Sequence, residues 1–135
     1  MNKDYISGFF DADGYITITK RAKNEEETPV AGFTNTIKEI LVSIQNFLYK
    51  EIGIKGHISL KKGNGLQISD SYDLKYTGFT YCILLGDYLS IIHPKKVKRF
   101  LMLPTIKKVT FRNGKYQAES LEKRRLLCQK FLNIN

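Results

Sequence analysis

Ile6-Ser7-Gly8-Phe9-Phe10-Asp11-Ala12-Asp13-Gly14 is the stretch on which the fold turns. Lys3 to Ala12 is a short helix candidate, with Tyr5, Ile6, Phe9 and Phe10 apolar and the small Gly8 and Ala12 at i, i+4 spacing. Gly14 ends it. Tyr15-Ile16-Thr17-Ile18-Thr19-Lys20-Arg21 then alternates, with Ile16 and Ile18 on one face and Thr17, Thr19 and Arg21 on the other, as a half-buried strand does. Two carboxylates therefore stand at the C-terminal end of a helix that hands over directly to a strand. A helix C-terminus carries partial negative charge and disfavours Asp11 and Asp13 unless a cation or hydrogen-bond donors compensate. A divalent cation does so: Mg²⁺ (or Mn²⁺) suits one or two carboxylates completed by water and a substrate phosphate. A calcium loop of the EF-hand kind is excluded, because that alignment places Phe9 and Lys20 where acidic ligands are required.

Outward from this stretch, Asn24-Glu25-Glu26-Glu27-Thr28-Pro29 is turn chemistry, and Val30 to Asn35 returns as a second strand with Phe33 inward. Residues 37 to 52 carry Ile37, Ile40, Leu41, Ile44, Leu48 and Ile52 at helical spacing, with Gly53 as the stop. His57-Ile58-Ser59-Leu60-Lys61 alternates again, Lys62-Gly63-Asn64-Gly65 turns, and Tyr76 to Leu85, rich in aromatic and β-branched residues, reads as the fourth strand. A short helix is expected over Asp87 to Ile92, another from Pro94 to Leu103, and an amphipathic one over Glu119 to Leu132. The predicted order is αββαββα with a tail, an α+β fold in which two hairpins make a curved antiparallel sheet with helices on its opposite face. Leu66 to Asp73 is read as an extension, either a loop reaching along a ligand or a hairpin tip.

With 135 residues, 42% hydrophobic and 12% aromatic, the chain suits one domain spanning residues 1–135. No apolar run approaches a bilayer span and the N-terminus lacks secretory-signal order, so an intracellular place, cytoplasm or organelle matrix, is expected, without a membrane partner. Cys82 and Cys128 stand far apart with no partner at zinc-ligand spacing. The net charge of +9 is uneven: residues 1 to 90 hold 10 basic and 11 acidic side chains, whereas 91 to 135 hold 12 and 2. Pro94-Lys95-Lys96-Val97-Lys98-Arg99 concentrates the excess, which favours a polyanionic partner over a merely solvated face.

Residues 6 to 14 resemble the signature of the LAGLIDADG homing endonucleases and related maturases, matching its Gly8, Asp11, Ala12, Asp13 and Gly14. Phe33-Thr34-Asn35-Thr36-Ile37-Lys38-Glu39-Ile40-Leu41 resembles the family's passage from second strand to helix, and the αββαββα order is its core. The resemblance implies a sequence-specific double-strand DNA endonuclease acting as a homodimer on a long pseudo-palindromic site, dependent on Mg²⁺ or Mn²⁺. The absence of a flanking splicing domain favours a free-standing, intron-homing enzyme over an intein-embedded one. It also implies signature helices packed across a twofold axis, with Ser7, Gly8, Asp11 and Ala12 at the dimer interface. Asp13 matches the catalytic acid and metal ligand, and the carbonyl of Ala12 is a further ligand. Asp11 holds the chain at the helix end.

Where family members orient the attacking water, Asn35 is the candidate, with Thr36 beside it; capping of the following helix is the competing role for either. Lys98 is the candidate for the lysine near the scissile phosphate, with Lys96 and Arg99 as rivals. Alternation assigns the DNA-facing side of the sheet to Tyr15, Thr17, Thr19, Arg21, Lys23, Gly32, Thr34, His57, Ser59 and Lys61, with Lys75 added from the fourth strand and Lys96 and Arg99 from the basic run. A cleavage-inactive regulator, an RNA maturase with intron RNA as partner, and half of a heterodimer are the alternatives. An intact Asp13 favours the enzyme.

Overall fold

Asn2 opens the first helix by accepting the Tyr5 N–H on its side chain at 2.8 Å, which satisfies one of the free donors of the first turn. This helix, α1 (Lys3–Asp13), buries Ile6, Ser7 and Phe10 and stops where Gly14 turns extended. In the computed structural model, which describes residues 1–20, 27–63, 69–110 and 118–134, no loop separates it from β1 (Gly14–Thr19). β2 (Thr28–Asn35) follows, then α2 (Lys38–Ile52), closed by Gly53 at φ 70, a left-handed value that glycine adopts without strain. β3 (His57–Lys61) and β4 (Ser71–Thr77) lead into three consecutive helices: α3 (Phe79–Tyr88), α4 (Pro94–Lys108) and α5 (Ala118–Leu132).

The strands form one antiparallel sheet in the order β1-β2-β4-β3. Its register sets Gly14 against Phe33, Phe33 against Leu74, and Leu74 against Ile58, so one face carries Ile16, Ile18, Ala31, Phe33, Leu74 and Tyr76 into the core. Phe10 of α1 meets the Phe33 ring edge-on at 5.3 Å, and Phe33 meets Tyr76 in the same way at 6.5 Å. The α+β architecture and the polar/apolar division of the sheet agree with the sequence.

Three elements differ from the sequence-based expectation. The fourth strand is Ser71–Thr77, not Tyr76 to Leu85. Tyr72, Leu74 and Tyr76 alternate there with Ser71, Asp73 and Lys75, while the later apolar run has no period of two and is the helix α3, entered through Gly78 at φ 102. The expected extension thus ends inside the sheet: residues 64–68 lie outside the described residues, and 71–73 belong to β4. The helix expected over 87–92 is absent, because Leu89 already has an extended conformation. The N–H groups of Ser90, Ile92 and His93 find acceptors on α1 instead of in a helix of their own. α4 also runs past Pro104 to Lys108; Leu103 and Ile106, fully buried on either side of the proline, hold the helix against the core despite the lost hydrogen bond.

Candidate active site and nucleic-acid interface

The end of α1 is fastened to the start of α4 in both directions. The Asp11 carboxylate accepts the Ile92 N–H at 3.1 Å and the His93 N–H at 3.0 Å, just ahead of the α4 N-terminus, where a negative charge is favoured. In return, the Lys96 ammonium donates to the carbonyls of Phe10 and Asp11 at 2.8 and 2.7 Å and lies over the Phe10 ring. The cation demanded by two carboxylates at a helix C-terminus is therefore, in part, a lysine of the chain itself. Burial draws the Lys96 ammonium below the usual lysine range, and Asp11 and Asp13 act in the opposite sense.

This clasp leaves Asp13 exposed at the helix-to-strand junction. Beside it runs a cleft lined by Gly14, Tyr15, Ile16, His93, Lys95, Lys96 and Arg99. Of the basic residues in this run, Lys98 is exposed on α4 and does not line the cleft, whereas Lys95, which the sequence did not single out, does. Arg99 is turned inward: Nη1 donates to the Ile16 carbonyl at 2.6 Å, and the guanidinium stacks on Phe131, so α4 is tied to β1 and α5. Lys96 and Arg99 thus serve the protein's own backbone first.

Asn35 ends β2 at the same end of the sheet as the α1–β1 junction, since Gly14 pairs with Phe33. Its Oδ1 accepts the Ile37 N–H at 2.8 Å, closing the turn into α2; the side-chain amide is left as a donor. Among the small residues of α1, Ser7 is buried and its Oγ accepts the Ser90 N–H, so it belongs to the interior of the chain and not to an outer face. Gly8 and Ala12 are exposed, and a side chain added at Gly8 would meet only open space.

The register places Tyr15, Thr17, Thr19, Gly32, Thr34, His57, Ser59 and Lys61 together on the open face of the sheet, as the alternation predicts, and Lys75 joins them from β4. Arg21 and Lys23 lie outside the described residues. Two of these positions do something other than meet a ligand. Gly32 is buried because the Tyr15 ring crosses directly above it; a methyl group there would fall 2.5 Å from the phenol oxygen and 2.7 Å from the Leu74 carbonyl. The ring crosses in order to reach Asp73, a wholly buried acid on the open face that the sequence did not identify. Burial and then the Asp73 charge raise the Tyr15 hydroxyl well above the usual tyrosine range, so it stays a donor.

Among the described residues no three His, Cys, Asp or Glu side chains come together. At the α1–β1 junction the described residues offer a hard cation the Asp13 carboxylate and neighbouring backbone oxygens, a donor set that fits an ion completed by water and phosphate and not one held in an all-protein cage.

The model of the LAGLIDADG-like domain matches residues 2–103, and the chain belongs to this family. The fold is shared with the LAGLIDADG meganuclease I-AabMI bound to uncleaved DNA (TM-score 0.67, 19% identity, covering 95% of this chain and 44% of that one). It is shared too with the homing endonuclease I-GzeII in complex with its DNA target (0.66, 16%, 99% and 50%). I-CvuI, in complex with its target in the presence of 2 mM Ca, follows (0.58, 20%, 98% and 80%). The chain spans about half the length of I-AabMI and I-GzeII. No curated protein sequence matches it. No helix of the described residues is long and apolar enough to cross a membrane.

Proposed function

We propose that the chain is a divalent-metal-dependent, sequence-specific double-strand DNA endonuclease that acts as a homodimer, with intron homing as its biological setting. The observation that carries this reading is the exposed Asp13 carboxylate, fixed by the Asp11–Lys96 clasp beside a cleft bearing Lys95 and His93. A purely binding surface has no use for a carboxylate aimed at phosphate. The Asp13 carboxylate and the Ala12 carbonyl would hold a divalent cation, which when bound would supply an activated water and neutralise charge on the phosphodiester. Lys95 neutralises the scissile phosphate in the role first assigned to Lys98, and the free amide of Asn35 donates to the attacking water.

Two further observations support the dimer. I-AabMI and I-GzeII are about twice as long as the part of them that this chain covers, so two copies of this chain are needed to match one of theirs. Exposed Gly8 and Ala12, one turn apart, permit close approach of two α1 helices, with the two Asp13 carboxylates brought near the symmetry axis. The target is then a long near-palindrome, read in the major groove by the open face of each sheet.

The test is to select bound duplexes from a random library in Ca²⁺, then add Mg²⁺ to the recovered pool, with sedimentation of the free protein alongside. Double-strand breaks at the centre of a near-palindrome, made by a dimer, are expected. Selection without any cleavage in Mg²⁺ or Mn²⁺ refutes the enzyme and leaves a DNA-binding protein; selection only of structured RNA refutes the DNA reading.

A further inference from the structure

Asp73 sits in the middle of the open sheet face with none of its surface exposed, and all four strands send a side chain to it. Tyr15 of β1 donates from its hydroxyl to both carboxylate oxygens at 3.0 and 2.9 Å, and Thr34 of β2 donates to Oδ1 at 3.3 Å. Lys61 of β3 and Lys75 of β4 place their ammonium groups 3.8 and 3.7 Å from the same oxygen, Oδ2. These are not register neighbours. Lys61 is opposite Ser71 and Lys75 is opposite His57, so their rows are four β4 residues apart, roughly 13 Å along the strand. Two lysines so placed on an open sheet would extend separately into solvent. Here the two nitrogens are no further apart than the sum of their distances to one oxygen, while both side chains stay about half exposed.

We propose that Asp73 is a specificity-determining positioning residue: it converges Lys61 and Lys75 on one point above the sheet, where they donate together to the O6 and N7 acceptors of a guanine in the major groove of each half-site. This rests on the DNA-reading function proposed above. The alternative in which Asp73 itself accepts from a cytosine amino group fails on burial, because its carboxylate lies beneath Tyr15 with no surface to offer. The alternative in which the lysines contact phosphates calls for side chains that spread along the backbone, and the shared pairing with Asp73 Oδ2 opposes that. Holding the ammonium groups together before DNA arrives also lowers the ordering cost of binding. The acid tolerates its burial because two hydroxyl donors and two cations surround it. Gly32 serves the same arrangement, since any side chain there would block the path of Tyr15.

The experiment measures binding of the full-length protein in Ca²⁺ to its selected duplex and to every single-base variant of it, at several salt concentrations. The wild type, Asp73→Asn and the double variant Lys61→Ala/Lys75→Ala are compared. The wild type is expected to prefer guanine at one position of each half-site by about tenfold or more. Asp73→Asn is expected to lose most of that preference while binding DNA in general more tightly, with a steeper salt dependence as the released lysines reach phosphates. The double-lysine variant is expected to lose the same preference without the steeper salt dependence. Because both lysines are half exposed, this variant tests the inference even if Asp73→Asn does not fold. Unchanged base preference in the double variant, or in a folded Asp73→Asn protein, overturns the inference and leaves the DNA-reading function standing. Failure of the wild type to select any duplex overturns both.

Discussion

The ammonium nitrogen of Lys96 lies 2.7 Å from the carbonyl oxygen of Asp11, while the carboxylate of Asp11 holds the backbone of α4 two residues before its first turn. The first turn of α4 thus supplies the cation that the α1 C-terminus lacks, and α1 supplies the carboxylate that the α4 N-terminus favours. The arrangement sets the height and direction of α1 over the sheet, and with them the position of Asp13.

Replacing Lys96 by Met keeps most of its packing against Phe10 and removes two charge-assisted hydrogen bonds. The expected loss is about 1–3 kcal/mol in urea denaturation. DNA cleavage should fall further than DNA binding, since the residue acts by positioning the end of α1. An equal fall in both would mean that Lys96 contacts phosphate directly.

Asp11→Ala leaves the N–H groups of Ile92 and His93 without their acceptor. A destabilisation of about 1–2 kcal/mol is expected, with hydrogen exchange at these two amides accelerated over the wild type by more than in α2. Unchanged protection there would show that the clasp does not hold the α4 approach.

Gly32→Ala directs a methyl group at the Leu74 carbonyl, which is fixed in the sheet, as well as at the Tyr15 hydroxyl, which is not. The strain is expected to cost about 1–3 kcal/mol, read as a lowered Tm. A neutral result would indicate that Tyr15 swings away from Asp73 at little cost.

Arg124 is buried and binds both the Glu27 carboxylate and its carbonyl, anchoring α5 to the approach to β2. Burial alone would raise the Glu27 carboxyl, but its own backbone N–H and the Arg124 guanidinium outweigh this and hold it below its ordinary value of 4.5. A depressed carboxyl stabilises the fold above its unfolded pKa, and that contribution disappears as pH falls through the folded value. Stability should therefore decline below about pH 4.5, and Glu27→Gln should show a shallower decline. The same acid profile in both proteins would remove Glu27 from the account.

How much of this was legible in the sequence follows from the range of each interaction. The α1–β1 junction, the first hairpin and α2 are specified by local signals: Gly14, the alternation around Ile16 and Ile18, and Gly53. β4 was equally regular, yet Asp73 at its centre looks like a loop residue unless Tyr15, Thr34, Lys61 and Lys75 are known to surround it, and those come from four strands. The run Phe79–Tyr88 is apolar on every side, so its composition could not distinguish strand from helix. Among Lys95, Lys96, Lys98 and Arg99, neighbours in sequence receive different tasks because α4 turns about 100° per residue. Only the contact with α1 shows which of them face the carboxylates.

The most direct test of the central claim is Asp13→Asn, assayed on the selected duplex for binding in Ca²⁺ and for cleavage in Mg²⁺. Binding within a few fold of the wild type and no double-strand cleavage are expected, because the substitution removes the metal ligand and also reduces repulsion from phosphate. Cleavage by the variant at a rate comparable to the wild type would contradict the claim.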